Sequence, residues 1–360
     1  MTLYVYNQEL ERVGVVESII SLQWLSEHQD TGEAKLVCSV NEKSKQLLID
    51  GNRLYCTEQS ECAVIAEVEI ADSGDDAVFT VRAPFSAERW KDRVVMATEI
   101  ITNVEAGALA LTTKNRRGLH GLTAAAKGLG ATTDTQITWG SVLDAEKTLC
   151  KSAALGFREV FDAVSACETF EVYRGTDRTS GDNYNGYFGD DIGNLSNIKI
   201  ISGSATWKNV AIVGGEGEGA GRKIVTVSIG AYTGECRREL WVDAKDISKT
   251  YQIATPDGNG GYTYSDGTYT DAEYTLLLQA RGLEKLSECL KTLSVAATLG
   301  QEVMTYGIDY FIGDVVPVKI TKYGLRLSAR ISAVRTIYES TGKKVEAVLS
   351  DFNITEEVSL

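Results

Sequence analysis

The stretch NVAIVGGEGEGAGRKIVTVSIG, Asn209 to Gly230, sets five glycines and two glutamates between two runs of β-branched residues. Two folds compete for it: a phosphate-cradling loop that leads into a helix, or the tip of a β-hairpin. A P-loop needs Gly, four residues, then Gly-Lys-Ser/Thr ahead of a helix. Here Gly221 is followed by Arg222 and Lys223, and Glu216 stands five positions before it. The dinucleotide spacing is met only in relaxed form, by Gly215, Gly217 and Ala220. The residues after Gly221 decide between the two. RKIVTVSI alternates with period two and is a strand, so no helix dipole meets an anion, and Glu216 and Glu218 repel one. The stretch is therefore a hairpin with a flexible tip. Gly214, Gly215, Glu216, Gly217, Glu218, Gly219, Gly221 and Arg222 become the candidate assembly or lumen loop, suited to closing over a neighbouring subunit or a pore and not to chemistry.

Outward from this hairpin the chain stays strand-rich. On the amino-terminal side, IISLQWLSEHQDTGEAKLVCSV from Ile19 alternates, placing Ile20, Leu22 and Trp24 on one face, with a turn near Gly32 and a return strand. NEKSKQLLI predicts a short helix capped by Asn41, followed by strands in NRLYCTE, CAVIAEVEIA and AVFTVRAPF around the turn DSGDD. After Ala87 the pattern becomes helical in TNVEAGALALTTKN and SVLDAEKTLCKSAALGF, the second opening on Ser141 and closing on Gly156. Strands at GFREVFDA and TFEVYRG make this an α/β unit, and GTDRTSGDNYNGYFGDDIGN reads as an exposed loop. On the carboxyl-terminal side, RRELWVDAKDIS is a strand. The tyrosine-rich TPDGNGGYTYSDGTYT precedes a helix over DAEYTLLLQARGLEKLSECLKT, capped by Thr270 or Asp271. YFIGDVVPVKI, LRLSARISAVRTIYES and KKVEAVLSDF are strands around turns at Gly313-Asp314, Gly324 and Gly342.

Composition bounds the function. The 360 residues exceed what one core usually fills, so two or more compact units are expected. The 36 basic and 50 acidic residues give a net charge of -14, the wrong sign for a protein that grips nucleic acid through phosphates, so sequence-specific nucleic-acid binding is not expected. The amino terminus, MTLYVYNQELERVGVV, is not a secretory signal, and no apolar run is long enough to cross a bilayer, so no membrane insertion is expected of this chain. Seven cysteines without a C-x-x-C pair read as reduced, mostly buried hydrophobes.

Catalytic and metal chemistry find little footing. His28 and His120, the two histidines, lie far apart and pair with no obvious nucleophile. The acidic turns DSGDD and GDDIG lack the EF-hand spacing. Trp24, Trp90, Trp139, Trp207 and Trp241 read as core or interface anchors. No cofactor, metal or catalytic residue is assigned, and no enzyme activity is expected.

Four blocks in order, SLQWLSEHQDTGEAKLVCSV...LLIDGNRLY, LDAEKTLCKSAALGFREVFD...FEVYRGTDR, WKNVAIVGGEGEGAGRKIVTV...RRELWVDAKDIS and ARGLEKL...YGIDYFIGDVVPV, resemble the tail-hub proteins of long-tailed phages and prophages. The most specific block runs from Asn209 to Ser248. The resemblance implies a β-rich α+β protein with two small β-barrels of a tail-hub fold, an α/β middle domain and further hairpins. Its segments are a first barrel over 1–88, an α/β domain over 89–185, a β-rich segment with the glycine hairpin over 186–265, and a helix plus second barrel over 266–360. It further implies a structural baseplate or tail-tip hub: a homotrimer whose ring adapts a sixfold tail tube to a threefold tip and lets DNA or cargo pass. Tail tube or distal tail ring proteins, and tip, spike or receptor-binding proteins, are its implied partners. The implied place is the particle's tail tip, after assembly in the bacterial cytoplasm. Relatives often continue into a peptidoglycan-cleaving or receptor-binding extension, whereas this sequence stops at FNITEEVSL, so such activity is expected on another polypeptide. A tail-tip peptidoglycan hydrolase and a receptor-binding module, the latter through GGYTYSDGTYT, are the rival readings.

Overall fold

The computed structural model describes residues 1–72, 77–119, 121–256 and 262–354. Most of the DSGDD turn (73–76), His120, the middle of the tyrosine-rich excursion (257–261) and residues 355–360 lie outside the described residues. Two compact units emerge, one of Met1–Ile200 with Ser294–Leu360 and one of Ile201–Leu293.

The first unit opens with hairpins. β1 (Leu3–Tyr6) pairs antiparallel with β2 (Arg12–Val15), and β3 (Ile19–Glu27) with β4 (Glu33–Ser39). Leu22 and Trp24 point inward as their spacing predicts, but Ile20 is 48% exposed, because a bulge between Ile19 and Ser21 breaks the register there. Helix α1 (Glu42–Leu47) begins on a reciprocal cap: Asn41 Oδ1 accepts the Ser44 N–H at 2.8 Å, and Ser44 Oγ accepts the Asn41 N–H at 2.8 Å. β5 (Arg53–Cys56) and β6 (Cys62–Val64) extend the first hairpin into the order β2-β1-β5-β6, while β7 (Glu67–Asp72) and β8 (Ala77–Pro84) extend the second. The two layers share one core that includes Leu3, Leu22, Trp24, Leu36, Leu54 and Phe79.

The α/β part comes next. β9 (Glu99–Asn103) runs into α2 (Val104–Asn115), capped by Asn103, and β10 (Leu122–Ala125) and β11 (Thr132–Ile137) lead to α3 (Val142–Ser152), capped by Ser141. β12 (Gly156–Asp162) and β13 (Cys167–Tyr173) complete a sheet of order β10-β13-β12, and β11 pairs with β9. The helix α3 leaves through Ala154 at φ 52, not through Gly156. Gly156 is required for another reason: a Cβ there would lie 2.5 Å from His28 Cδ2 and 2.6 Å from the His28 carbonyl. The loop beyond β13 is half-buried or exposed up to β14 (Phe188–Gly189), where Phe188 is fully buried, and Asn194 is buried just before β15 (Leu195–Gly203).

The second unit contains the glycine hairpin. β16 (Val210–Gly214) lies between β17 (Ile224–Ser228), antiparallel, and β18 (Glu239–Asp243), parallel. β19 (Thr250–Pro256) and β20 (Tyr262–Thr268) form a separate hairpin. Helix α4 (Asp271–Ser287), capped by Thr270 and Glu273, lays Tyr274, Leu278 and Leu286 over Ala211, Val213, Val225 and Val242. Gly282 lets it approach, since a Cβ there would stand 2.8 Å from Val213.

The chain then returns to the first unit. β21 (Thr292–Leu299), β22 (Val315–Ile320), β23 (Leu325–Glu339) and β24 (Gly342–Ile354) join a 10-stranded sheet ordered β15-β21-β24-β23-β3-β4-β8-β7, with β22 on β23 and β14 on β22. The strand β23 changes partner along its length: Val315 to Ile320 of β22 pair with Arg330 to Leu325, and from Ala333 onward the same edge pairs with β3. Its bulges at Ser328/Arg330 and Ile331/Ala333 mark the change. A second core, including Phe188, Tyr310, Val318, Ile331 and Leu349, fills this half. The architecture is the expected β-rich α+β class. No closed barrel is found among the described residues, because β23 carries the pairing of one half into the other and leaves a continuous ladder. All seven cysteines are unpaired, and no helix of the described residues is long and apolar enough to cross a membrane.

Candidate functional site

The candidate loop has a fixed base and an exposed tip. Gly214 and Gly215 are buried, and neither has room for a side chain: a Cβ on Gly214 would lie 2.6 Å from Trp241 Cη2, and one on Gly215 2.5 Å from Tyr274 Oη. The Glu216 N–H donates to Tyr274 Oη at 2.6 Å, the Tyr274 hydroxyl donates to the Ile247 carbonyl at 2.9 Å, and Glu216 Oε2 accepts the Lys249 N–H at 2.9 Å. Arg222 clamps the other side, donating from Nε to the Gly215 carbonyl and from Nη2 to the Gly214 carbonyl, both at 2.7 Å, and from Nη2 to Asp243. Its guanidinium stands 5.2 Å from the Trp241 ring centroid. That hydrogen bond from Arg222 holds the Asp243 carboxyl below its usual range.

Between these clamps the backbone takes conformations that glycine alone adopts freely. Gly217 has φ +103 and Gly219 φ +57, and the turn ends in a short 3-10 segment, Gly219–Gly221. From Glu216 to Gly221 every residue is exposed, and Glu218 has no ion pair among the described residues. The predicted residues are thus all brought together. Gly214, Gly215, Glu216 and Arg222 serve as base, while Gly217, Glu218, Gly219 and Gly221 form the tip. No helix comes after them, so the loop has no phosphate-binding geometry.

A second constellation has no counterpart among the sequence expectations. Arg89 Nη2 lies 2.7 Å from Glu159 Oε2 and 2.8 Å from Glu168 Oε2, the Trp90 indole donates to Glu159 Oε1 at 2.8 Å, and Arg53 Nε is 3.8 Å from Glu168 Oε1. Alongside, Ser26 Oγ donates to Glu61 Oε2 at 3.1 Å and Arg158 Nε to Glu171 Oε1 at 2.7 Å. Glu159 and Glu168 are 2% and 0% exposed. Burial pushes the Glu159 carboxyl up against the pull of Arg89, and pushes Glu61 up to about 7 against Arg158 and Ser26. These carboxylates meet through a shared guanidinium instead of facing each other across a cleft, so the cluster ties β5, β12, β13 and the Ser86–Asp92 turn together. No local pattern betrays it, since its members come from four separate stretches of chain.

The remaining candidates fall apart spatially. His28 is 1% exposed, edge-on to Tyr173 at 5.3 Å, with neither ring nitrogen hydrogen-bonded among the described residues. Burial, with Arg330 nearby, lowers it to about 3, so it is a neutral packing group. Asp190 of GDDIG accepts the Thr321 N–H at 2.7 Å and Asp191 pairs with Lys319 at 2.5 Å. No group of three or more His, Cys, Asp or Glu among the described residues is placed to hold a metal. Trp24 and Trp90 are core, Trp139 and Trp241 are 71% and 54% exposed, and Trp207 carries two cations.

The fold of this chain has solved counterparts, and they are phage tail proteins. The tail protein from Neisseria meningitidis MC58 matches with TM-score 0.61 and 12% identity over 97% of this chain and 96% of its own. The 43 kDa tail protein of prophage MuSo2 from Shewanella oneidensis matches with TM-score 0.62 and 10% identity over 97% and 98%. Prophage tail protein gp18 from Listeria monocytogenes EGD-e matches with TM-score 0.54 and 13% identity over 99% and 96%. The chain belongs to the Siphovirus ReqiPepy6 Gp37-like protein family, whose model matches residues 2–349. The likeness to tail-hub proteins read from the four sequence blocks is borne out at the level of family and fold. Among curated proteins, no sequence match is found.

Proposed function

We propose that this chain is a structural hub of a phage tail or tail-like particle: three copies form a ring that adapts the sixfold tail tube to a threefold tip and leaves a passage for DNA or cargo. The observation that carries this reading is the correspondence, over nearly the whole chain, with the fold of three tail proteins. Its partners in this reading are distal tube proteins on one side and tip, spike or receptor-binding proteins on the other, at the tail tip of a particle assembled in the host cytoplasm. The segments 1–88, 89–185, 186–265 and 266–360 divide the work, the first and last supplying ring-forming strands. A net charge of -14 suits a bore that DNA traverses without sticking. The role in this reading is structural and not catalytic, and the buried carboxylates of the Arg89 cluster are engaged in ion pairs and hydrogen bonds. Quantitative mass spectrometry of purified particles tests it: three copies per tail are expected, and six copies, or absence from the mature tail, overturn it. Zymography on cell walls checks the catalytic rival, and a clearing band from the isolated chain counts against a purely structural role.

A further inference from the structure

The two ends of β16 differ in charge. Just before its start, Trp207 gathers the Arg238 guanidinium at 5.4 Å and the Lys291 ammonium at 4.6 Å from its ring centroid, with Tyr232 edge-on at 5.7 Å. Arg238 is oriented by a hydrogen bond to the Ser204 carbonyl at 2.5 Å, and its strand is held by the Arg238 N–H to Asn209 Oδ1 bond at 2.8 Å. Neither cation has an ion-pair partner among the described residues. In a chain with 50 acidic against 36 basic residues, two uncompensated cations on one indole run against composition. Beyond the other end of β16, Glu218 is exposed and unpaired among the described residues, at the tip that Arg222 and Tyr274 hold in place.

These features cannot meet within one chain. They flank Val210–Gly214, a strand spanning about 17 Å at roughly 3.3 Å per residue, and they lie off opposite ends of the same sheet. We propose that the Trp207–Arg238–Lys291 cluster receives the Gly217–Gly221 tip of a second copy of this chain, head to tail. The proposal rests on the ring proposed as the protein's function and names the contact that closes it. A head-to-tail contact uses two different patches of one surface and so generates a closed ring or a filament, where a twofold contact would stop at a dimer. The chemistry is matched: a carboxylate on a rigid base meets two donors held on an aromatic face, and opposite charges steer the encounter.

The test uses two exposed positions. Glu218→Lys and Lys291→Glu are each expected to weaken self-association of the full chain by at least about tenfold in sedimentation velocity, and the two together to restore it to within about threefold of wild type. Circular dichroism melts check folding. Should either reversal unfold the chain, Glu218→Gln and Lys291→Gln read the same contact with a smaller loss. A wild-type ring that ignores both reversals overturns this contact and leaves the ring itself standing. A wild-type chain that stays monomeric in solution and in particles overturns both. Loss of duplex DNA binding by Lys291→Glu with self-association unchanged assigns the cations to phosphate and sinks the proposal.

Discussion

Thr112 and Glu146 show how burial and a hydrogen bond oppose each other at one carboxyl. The Thr112 hydroxyl lies 2.9 Å from the Ala108 carbonyl and 2.9 Å from Glu146 Oε1, yet it has a single proton to give. Both neighbours accept, so that proton is shared between them, and its donation to Glu146 favours the charged carboxylate. Complete burial between α2 and α3 outweighs that bond and pushes the Glu146 carboxyl well up. Glu146→Gln keeps an acceptor of the same shape without a charge to bury and should change unfolding free energy by under about 1 kcal/mol, whereas Glu146→Ala opens a cavity and removes the bond to Thr112, at about 2 kcal/mol or more. Urea unfolding of both variants at pH 7 checks it; equal losses would show that the charge, and not the packing and the bond to Thr112, is what matters there. Glycine needs are equally local: Gly217 and Gly219 sit at positive φ, so proline there would strain the tip itself and could not report on assembly alone.

At the level of elements, the Arg89 cluster pairs residues that the sequence keeps 70 to 115 positions apart, Arg89 with Glu159 and Glu168, and Arg53 with Glu168. Removing the guanidinium leaves two buried carboxylates facing each other. Arg89→Met should cost about 3–5 kcal/mol, and Arg89→Met combined with Glu159→Leu and Glu168→Leu should recover part of that, because the apolar replacements need no partner while the Trp90 indole and Arg53 lose theirs. Thermal melts of the single and triple variants distinguish the cases; a triple variant as weak as the single one would show that the cluster acts through packing. The same contrast explains what the sequence made legible. The caps Asn41, Ser141 and Thr270 were legible because a cap is a contact between residues three apart. The glycine hairpin was legible because RKIVTVSI alternates. β10, β11 and β21 were not, being short polar or small-residue stretches whose pairing is set by distant partners. The polar setting of His28 gave no hint of burial, since Gly156, Gly313 and Tyr173 arrive from elsewhere to enclose it. Trp207 was visible only as an isolated tryptophan; the Arg237-Arg238 pair was its one available signal.

For the molecule as a whole, the buried acids tie stability to pH. Glu61 is raised in the folded state from a reference near 4.5 to about 7. The folded form therefore holds a proton that the unfolded chain releases over that window. Its contribution is fully present below about pH 4.5 and is lost as pH rises through 7, amounting to about 3 kcal/mol. Glu146 and Glu159, also raised, add to the same trend. Glu171, lowered by Arg158 and Lys127 against its burial, contributes in the opposite sense at more acid pH. His28, lowered to about 3, opposes these acids as pH falls from 7 to 5, because the unfolded chain then binds a proton there. The Glu61 share is therefore read by difference: Glu61→Gln should lower unfolding free energy at pH 5 relative to pH 7 compared with wild type. Denaturant titrations at the two pH values measure it; an unchanged slope in the variant would remove Glu61 as its source.

The partner change along β23 also has a consequence in time. Edge residues of β3 that end up against Ala333 to Glu339 have nothing to pair with until translation has delivered a segment some three hundred positions later. During synthesis the early sheet waits with one flank open, a state that folds slowly and invites strands from neighbouring nascent chains. Commitment of each polypeptide to its own shape thus comes late, and crowded ribosomes on one message are where exchange of strands between sister chains would begin.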